Sequence, residues 1–235
     1  MTDPQTSSGD RPALTKPEQL FPLVRQFSYR LTKLLLLTPL TPNHVTALSL
    51  LSGLAAAWFF AQGNYQDGLI GGALFVLGYT LDNCDGEIAR LKNLSSEFGA
   101  KFDDVVDWLV DSVFFIALGY GTWIASDTIF WFWCGVAATV GATIDYVVDL
   151  FYYAGKEAEE NAQTREEQAV VQKEPENIID WLILIFHKFS RADFCMIVFA
   201  LALFDILWLL LPAAAIGAQA YWITDLFNRA RGWRI

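Results

Sequence analysis

Four aspartates at helical spacing stand beside long apolar stretches in this chain. Asp82 and Asp85 open the run Asp82-Asn83-Cys84-Asp85-Gly86-Glu87-Ile88-Ala89-Arg90, and Asp103 and Asp107 follow Gly99. A carboxylate near hydrocarbon is costly and marks a functional site by default. Four that converge repel one another unless a cation joins them. Carboxylate oxygens suit Mg²⁺ or Mn²⁺, and magnesium keeps open positions for substrate phosphates. On a helix, positions 82, 85, 86 and 89 share one face. Gly86 and Ala89 have little or no side chain and leave room there for a ligand against the backbone. Arg90, one turn on, is placed to meet a phosphate. Gly99, Asp103 and Asp107 recur every four residues on one face of the next helix. The short connection makes the two helices antiparallel neighbours with facing acidic stripes. This set fits a diphosphate-linked donor. A metal pair would stabilise charge on the transferring phosphorus and the leaving phosphate, and a fourth carboxylate would take a proton from an attacking hydroxyl. Asp107, deepest along its stripe, is the choice for that base.

The elements that must position these groups are membrane helices. No charge occurs within 45–65, 69–81 or 129–144, and the chain is 54% hydrophobic with 9 Trp and 18 Phe. A span needs about 20 apolar residues. The pattern predicts six, at 45–62, 67–85, 104–123, 128–151, 194–211 and 212–226. Six spans put both termini on one side, and all 16 Lys and Arg fall there. The opposite turns, near Asn64, Ser126 and Pro212, hold none. The positive-inside rule makes the basic side cytoplasmic, and hence the termini and the acidic site too. In a bacterium the membrane would be the inner one. No signal peptide is expected ahead of the first span. Residues 1–20 read as a disordered tail. Residues 21–38 mix Arg25, Arg30 and Lys33 with Phe27, Leu31 and Leu34, as in an amphipathic helix on the inner leaflet. The six-span domain covers 42–235, with a polar cytoplasmic loop at 155–180. A net charge of −10 excludes a basic nucleic-acid surface. Cys84, Cys134 and Cys195 lack metal or redox spacing and read as packed thiols.

With its motif in place, the chain resembles class I of the CDP-alcohol phosphotransferase family of membrane enzymes. That family's pattern is Asp-x2-Asp-Gly-x2-Ala-Arg-x8-Gly-x3-Asp-x3-Asp. Asp82, Asp85, Gly86, Ala89, Arg90, Gly99, Asp103 and Asp107 match it without a change of spacing. The resemblance implies a six-helix bundle with its site at the cytoplasmic face, and CMP as a product. It implies metal on Asp82, Asp85 and Asp103, with Asp107 as ligand, base or both. The stretch Thr41-Pro42-Asn43-His44-Val45-Thr46 resembles the family's entry to the first span. By that analogy Asn43 and Thr46 contact the nucleotide beside Asp82, Gly86, Ala89, Arg90 and Gly99. A homodimer is expected from the resemblance and from the small-residue run 213–220.

The resemblance implies CDP-diacylglycerol or a CDP-alcohol as donor and a hydroxyl as acceptor, most simply in phospholipid head-group synthesis. Soluble CDP-inositol-like donors are an alternative with the same chemistry. An aspartate-lined cation transporter is an alternative of another class, but it leaves Arg90 and the glycine spacing unexplained. Lys101, Lys188 and Arg191 are candidates for an acceptor phosphate or for inner-leaflet anchoring. Asp145 and Asp149, one turn apart near Tyr146, are candidates for an amine head group or for helix packing.

Overall fold

The computed structural model describes residue 14 and residues 22–160 and 193–230. Its elements are helices: α1 (Leu23–Leu35), α2 (Pro42–Phe60), α3 (Tyr65–Lys92), α4 (Glu97–Ser126), α5 (Phe130–Glu160), α6 (Phe194–Leu203), a 3₁₀ turn at Leu207–Leu209, and α7 (Leu210–Ala230). Among the described residues, four stretches are long and apolar enough to cross a membrane: Pro42–Phe60, Glu97–Ser126, Phe130–Phe151 and Leu207–Thr224. Helix α3 has the length, but its second half carries the acidic motif. Helix α6 is apolar and short.

Local chemistry sets the helix ends nearest the motif. Helix α2 begins with Pro42 at its first position, where a missing N–H costs nothing. The Thr41 backbone N–H donates to His44 Nδ1 over 3.3 Å and completes the cap. Helix α3 starts at Asn64, whose side chain accepts from the Asp67 N–H at 3.0 Å. It ends at Asn93, which takes a left-handed φ of 53°, a conformation that asparagine tolerates. Ser96 then accepts the Gly99 N–H at 3.0 Å and starts α4. The turn between Asn93 and Ser96 reverses the chain, and α4 packs chiefly on α2 and α5 rather than along α3. The whole of Asp82–Arg90 thus lies on one unbroken helix that runs past the expected span end at 85.

Two sequence expectations need correction. The fifth span, expected at 194–211, stops as a helix at Leu203, and the turn expected near Pro212 lies earlier. Asp205, at a left-handed φ of 58°, ends the strand of helix there. Pro212 sits inside the first turn of α7, where the backbone N–H has no helical acceptor to lose. Residues 155–160, expected as loop, continue α5. The rest of the polar segment 161–180 and the tail 1–13 lie outside the described residues.

Helix α2 packs on α3 and α4, α5 joins α4 to α7, α6 lies on α3, and α1 lies on α3. At the centre Phe75 stacks on Phe114 with ring centroids 4.5 Å apart. Phe60 meets Phe114 edge-on at 5.2 Å, and Phe194 approaches the same group at 6.0 Å. In lipid the helices gain from such close packing rather than from leaving water, and each aromatic pair adds roughly 0.5–1.5 kcal/mol. Leu51, Trp58, Trp133, Val140 and Ile216 point outward and exposed, as expected of faces solvated by lipid.

Candidate active site

The acidic stripes of α3 and α4 do meet. Carboxylate oxygens of Asp82, Asp85 and Asp103 lie within 4.8 Å of one another. Asp82 lies against both Asp103 and Asp107. Asp82 Oδ1 and Asp103 Oδ1 are buried and find no hydrogen-bond donor among the described residues. A buried carboxylate oxygen without a donor is costly. Three all-oxygen ligands around one point remove that cost by holding a hard cation, so the residues fit Mg²⁺ or Mn²⁺. Asp85 is oriented from the side: the buried Thr46 hydroxyl of α2 donates to its Oδ2.

Two openings meet at this cluster. One is a cleft of about 200 Å³ lined by Pro42, Asn43 and Thr46 of α2, Asp85, Gly86, Ala89 and Arg90 of α3, and Gly99 and Asp103 of α4. Every residue that sequence reasoning assigned to the nucleotide lies here, except Asp82. An added Cβ at Gly86 would meet nothing nearer than the Arg90 guanidinium at 3.4 Å. The protein itself does not need glycine there, so the space is free for a ligand. At Gly99 a Cβ would come within 3.2 Å of Asn43 Oδ1, so this glycine is what lets α2 and α4 approach.

The other opening is a cavity of about 730 Å³ inside the bundle, lined by Asp82, Asp107, Asp111 and Asp145 among apolar residues, with Arg25 near the α1 end. Asp107 falls outside the group of three and is reached from this cavity. Tyr79 of α3 donates to Asp111 Oδ1 of α4 at 3.0 Å on the cavity wall, a bond between two helices. The remaining acceptor candidates are dispersed. Lys101 bonds Glu97 at 2.5 Å on the exposed side of α4, and Asp149 is on α5 one turn past Asp145. Lys188 and Arg191 lie outside the described residues. The three cysteines are free and buried, as expected of packed thiols.

The sequence matches the CDP-alcohol phosphatidyltransferase family over residues 39–224. The chain belongs to that family. Among its relatives is a "Bifunctional IPC transferase and DIPP synthase" of Rubrobacter xylanophilus, 40% identical over 94 residues, which are 39% of this chain and 21% of that one. Another is an "Archaetidylinositol phosphate synthase" of Pyrococcus horikoshii, 35% identical over 100 residues, or 42% of this chain and 52% of that one. The matched segments therefore span from a fifth to about half of these relatives' lengths. The fold is that of the Mycobacterium tuberculosis phosphatidylinositol phosphate synthase. Its structure with CDP-DAG bound superposes with a TM-score of 0.53 at 20% identity, covering 86% of this chain and 92% of the other. A structure of that enzyme with manganese and citrate gives 0.51 at 22% identity, covering 86% and 89%.

Proposed function

We propose that this protein transfers a substituted phosphoryl group from a CDP-linked lipid to the hydroxyl of an acceptor, releasing CMP, in phospholipid head-group synthesis. The observation that carries the reading is the convergence of Asp82, Asp85 and Asp103 at the junction of cleft and cavity. The cleft receives the cytidine nucleotide, with Asn43 and Thr46 on one wall and the open backbone at Gly86 and Ala89 on the other. Arg90 neutralises the leaving phosphate at the cleft edge. Asp82, Asp85, Asp103 and Asp107 would hold Mg²⁺ or Mn²⁺, two ions being the fuller reading of four carboxylates; bound metal would stabilise negative charge on the transferring and leaving oxygens. The acceptor enters from the cavity, where Asp145 and the Tyr79–Asp111 pair offer polar contacts. Asp107 takes the hydroxyl proton as the acceptor oxygen bonds to the donor phosphorus and the bond to the CMP oxygen breaks.

The relatives' activities support a lipid donor and an inositol-type acceptor, and the charge pattern of the sequence supports a cytoplasmic site with both termini on that side. The reading carries the domain layout with it: an interfacial α1 followed by one six-span unit from residue 42, working as a homodimer. The test uses purified full-length protein in lipid nanodiscs with labelled CDP-diacylglycerol or soluble CDP-alcohols, a panel of hydroxyl acceptors, and Mg²⁺, Mn²⁺ or chelator. Metal-dependent, acceptor-dependent CMP release is expected. Its absence across the panel would overturn the reading.

A further inference from the structure

Glu87 belongs to the acidic run but faces away from the acidic cluster, and the reaction described above gives it no role. Its carboxylate lies against α1. Ser28 Oγ donates to Oε1 at 3.0 Å, and Thr32 Oγ1 donates to Oε2 at 2.6 Å. Both hydroxyl residues are fully buried. Two hydroxyls thus satisfy both oxygens of one carboxylate, a charge-assisted pair stronger than neutral hydrogen bonds. One turn earlier, Cys84 Sγ approaches the Ser28 carbonyl at 3.6 Å. One turn later, Lys92 Nζ donates to the carbonyls of Thr38 at 3.1 Å and Leu40 at 2.9 Å. An apolar seam of Leu31 and Leu35 against Leu81 and Ile88 closes the contact.

These bonds have a direction. Helix α1 and residues 36–41 lead straight into Thr41 and the start of α2, which supplies Pro42, Asn43 and Thr46 to the 200 Å³ cleft. The opposite wall of that cleft is the other face of the same α3 turn that carries Glu87. Helix α2 packs directly on α3, and Thr46 of one wall bonds Asp85 of the other; the α1 contacts fix the entry end of that wall, at Pro42 and Asn43. Of the cluster, Asp85 is tied to this wall through Thr46, and Asp82 and Asp103 are carried by α3 and α4 themselves.

We propose that Glu87 is a positioning residue. Its bonds to Ser28 and Thr32 clamp the N-terminal arm to α3 and so hold the Pro42–Asn43 wall of the nucleotide cleft, with a larger effect on the nucleotide than on the acidic cluster. The proposal rests on the cytidine reading of the cleft for its ligand. The experiment compares wild type, Glu87→Ala, Glu87→Gln and the double variant Ser28→Ala/Thr32→Ala, all full-length in nanodiscs. It measures CMP affinity in the presence of Mn²⁺, Mn²⁺ affinity alone, and amide hydrogen exchange over 42–46. Loss of a supporting bond of this kind costs about 10–100-fold where it orients a binding group, so Glu87→Ala is expected to weaken CMP about tenfold or more. Mn²⁺ affinity should fall less than CMP affinity, and exchange at 42–46 should quicken. The hydroxyl double variant should reproduce these effects, and Glu87→Gln, which keeps an acceptor oxygen, should recover part of the affinity. Wild-type CMP affinity and exchange in Glu87→Ala would overturn the proposal. So would parallel loss of CMP and Mn²⁺ binding, or a double variant that behaves as wild type. If wild type binds no CMP, the cytidine reading fails; faster exchange in Glu87→Ala would then still support the clamp.

Discussion

Asp82, Asp85 and Asp103 each contribute an oxygen to one small space, so no one of them can be replaced by its neighbours. Asparagine keeps the shape and removes the charge. Each of Asp82→Asn, Asp85→Asn and Asp103→Asn is expected to lower CMP release by about 10²–10³-fold and to weaken Mn²⁺ binding, measured by titration. Near wild-type turnover in one variant would remove that residue from the metal role. Asp107 stands one helical turn from Asp103 and opens on the cavity. Asp107→Asn should keep donor binding and lose most single-turnover transfer if the group is the base, whereas loss of both together would mark it as a ligand. Gly86 allows a separate check. Its neighbours leave an added methyl uncontested, so Gly86→Ala should fold with an unchanged thermal midpoint and yet lose CMP affinity. An unchanged affinity would mean that the ligand does not lie against this backbone.

At the scale of elements, the site depends on helices that cross closely. A Cβ at Gly119 of α4 would come within 2.9 Å of the Trp131 carbonyl and 3.2 Å of Gly135 Cα on α5. These are backbone atoms and cannot turn aside, so Gly119→Ala must separate the two helices. It is expected to cost about 1–3 kcal/mol, seen as a lower unfolding midpoint in detergent, with CMP and Mn²⁺ affinities retained in the folded fraction. The acidic stripes are legible in sequence because their spacing is local: three or four residues along one helix, with a short turn between two helices. The break before α7 is less so. Pro212 reads as a stop but is harmless in a first turn, and Asp205, which does end α6, carries no compositional signal of its own. The Glu87 contacts are invisible to pattern reading because their partners lie 59 and 55 residues away. They also place a polar stripe, Ser28 and Thr32, on the buried face of α1, while Phe27 and Leu34 face outward.

At the scale of the whole molecule, the sidedness proposed from the basic residues can be read directly. The native thiols are buried, so single introduced cysteines report cleanly. Ser95→Cys, in the turn after α3, should react with a membrane-impermeant reagent only from the cytoplasmic side, and Ser126→Cys, at the far end of α4, only from the other. The reverse pattern would invert the orientation. Cross-linking in native-like lipid should give a dimer mass, and a monomer would contradict that part of the proposal. Finally, the acidic cluster is a partition between two chambers, with Asp85 and Asp103 bordering the cleft and Asp82 and Asp107 bordering the cavity. Two substrates approaching from opposite sides need not wait for each other to leave. Initial rates measured against both concentrations should then give intersecting, not parallel, reciprocal lines. CMP should compete with the donor alone, and added acceptor should not relieve its inhibition.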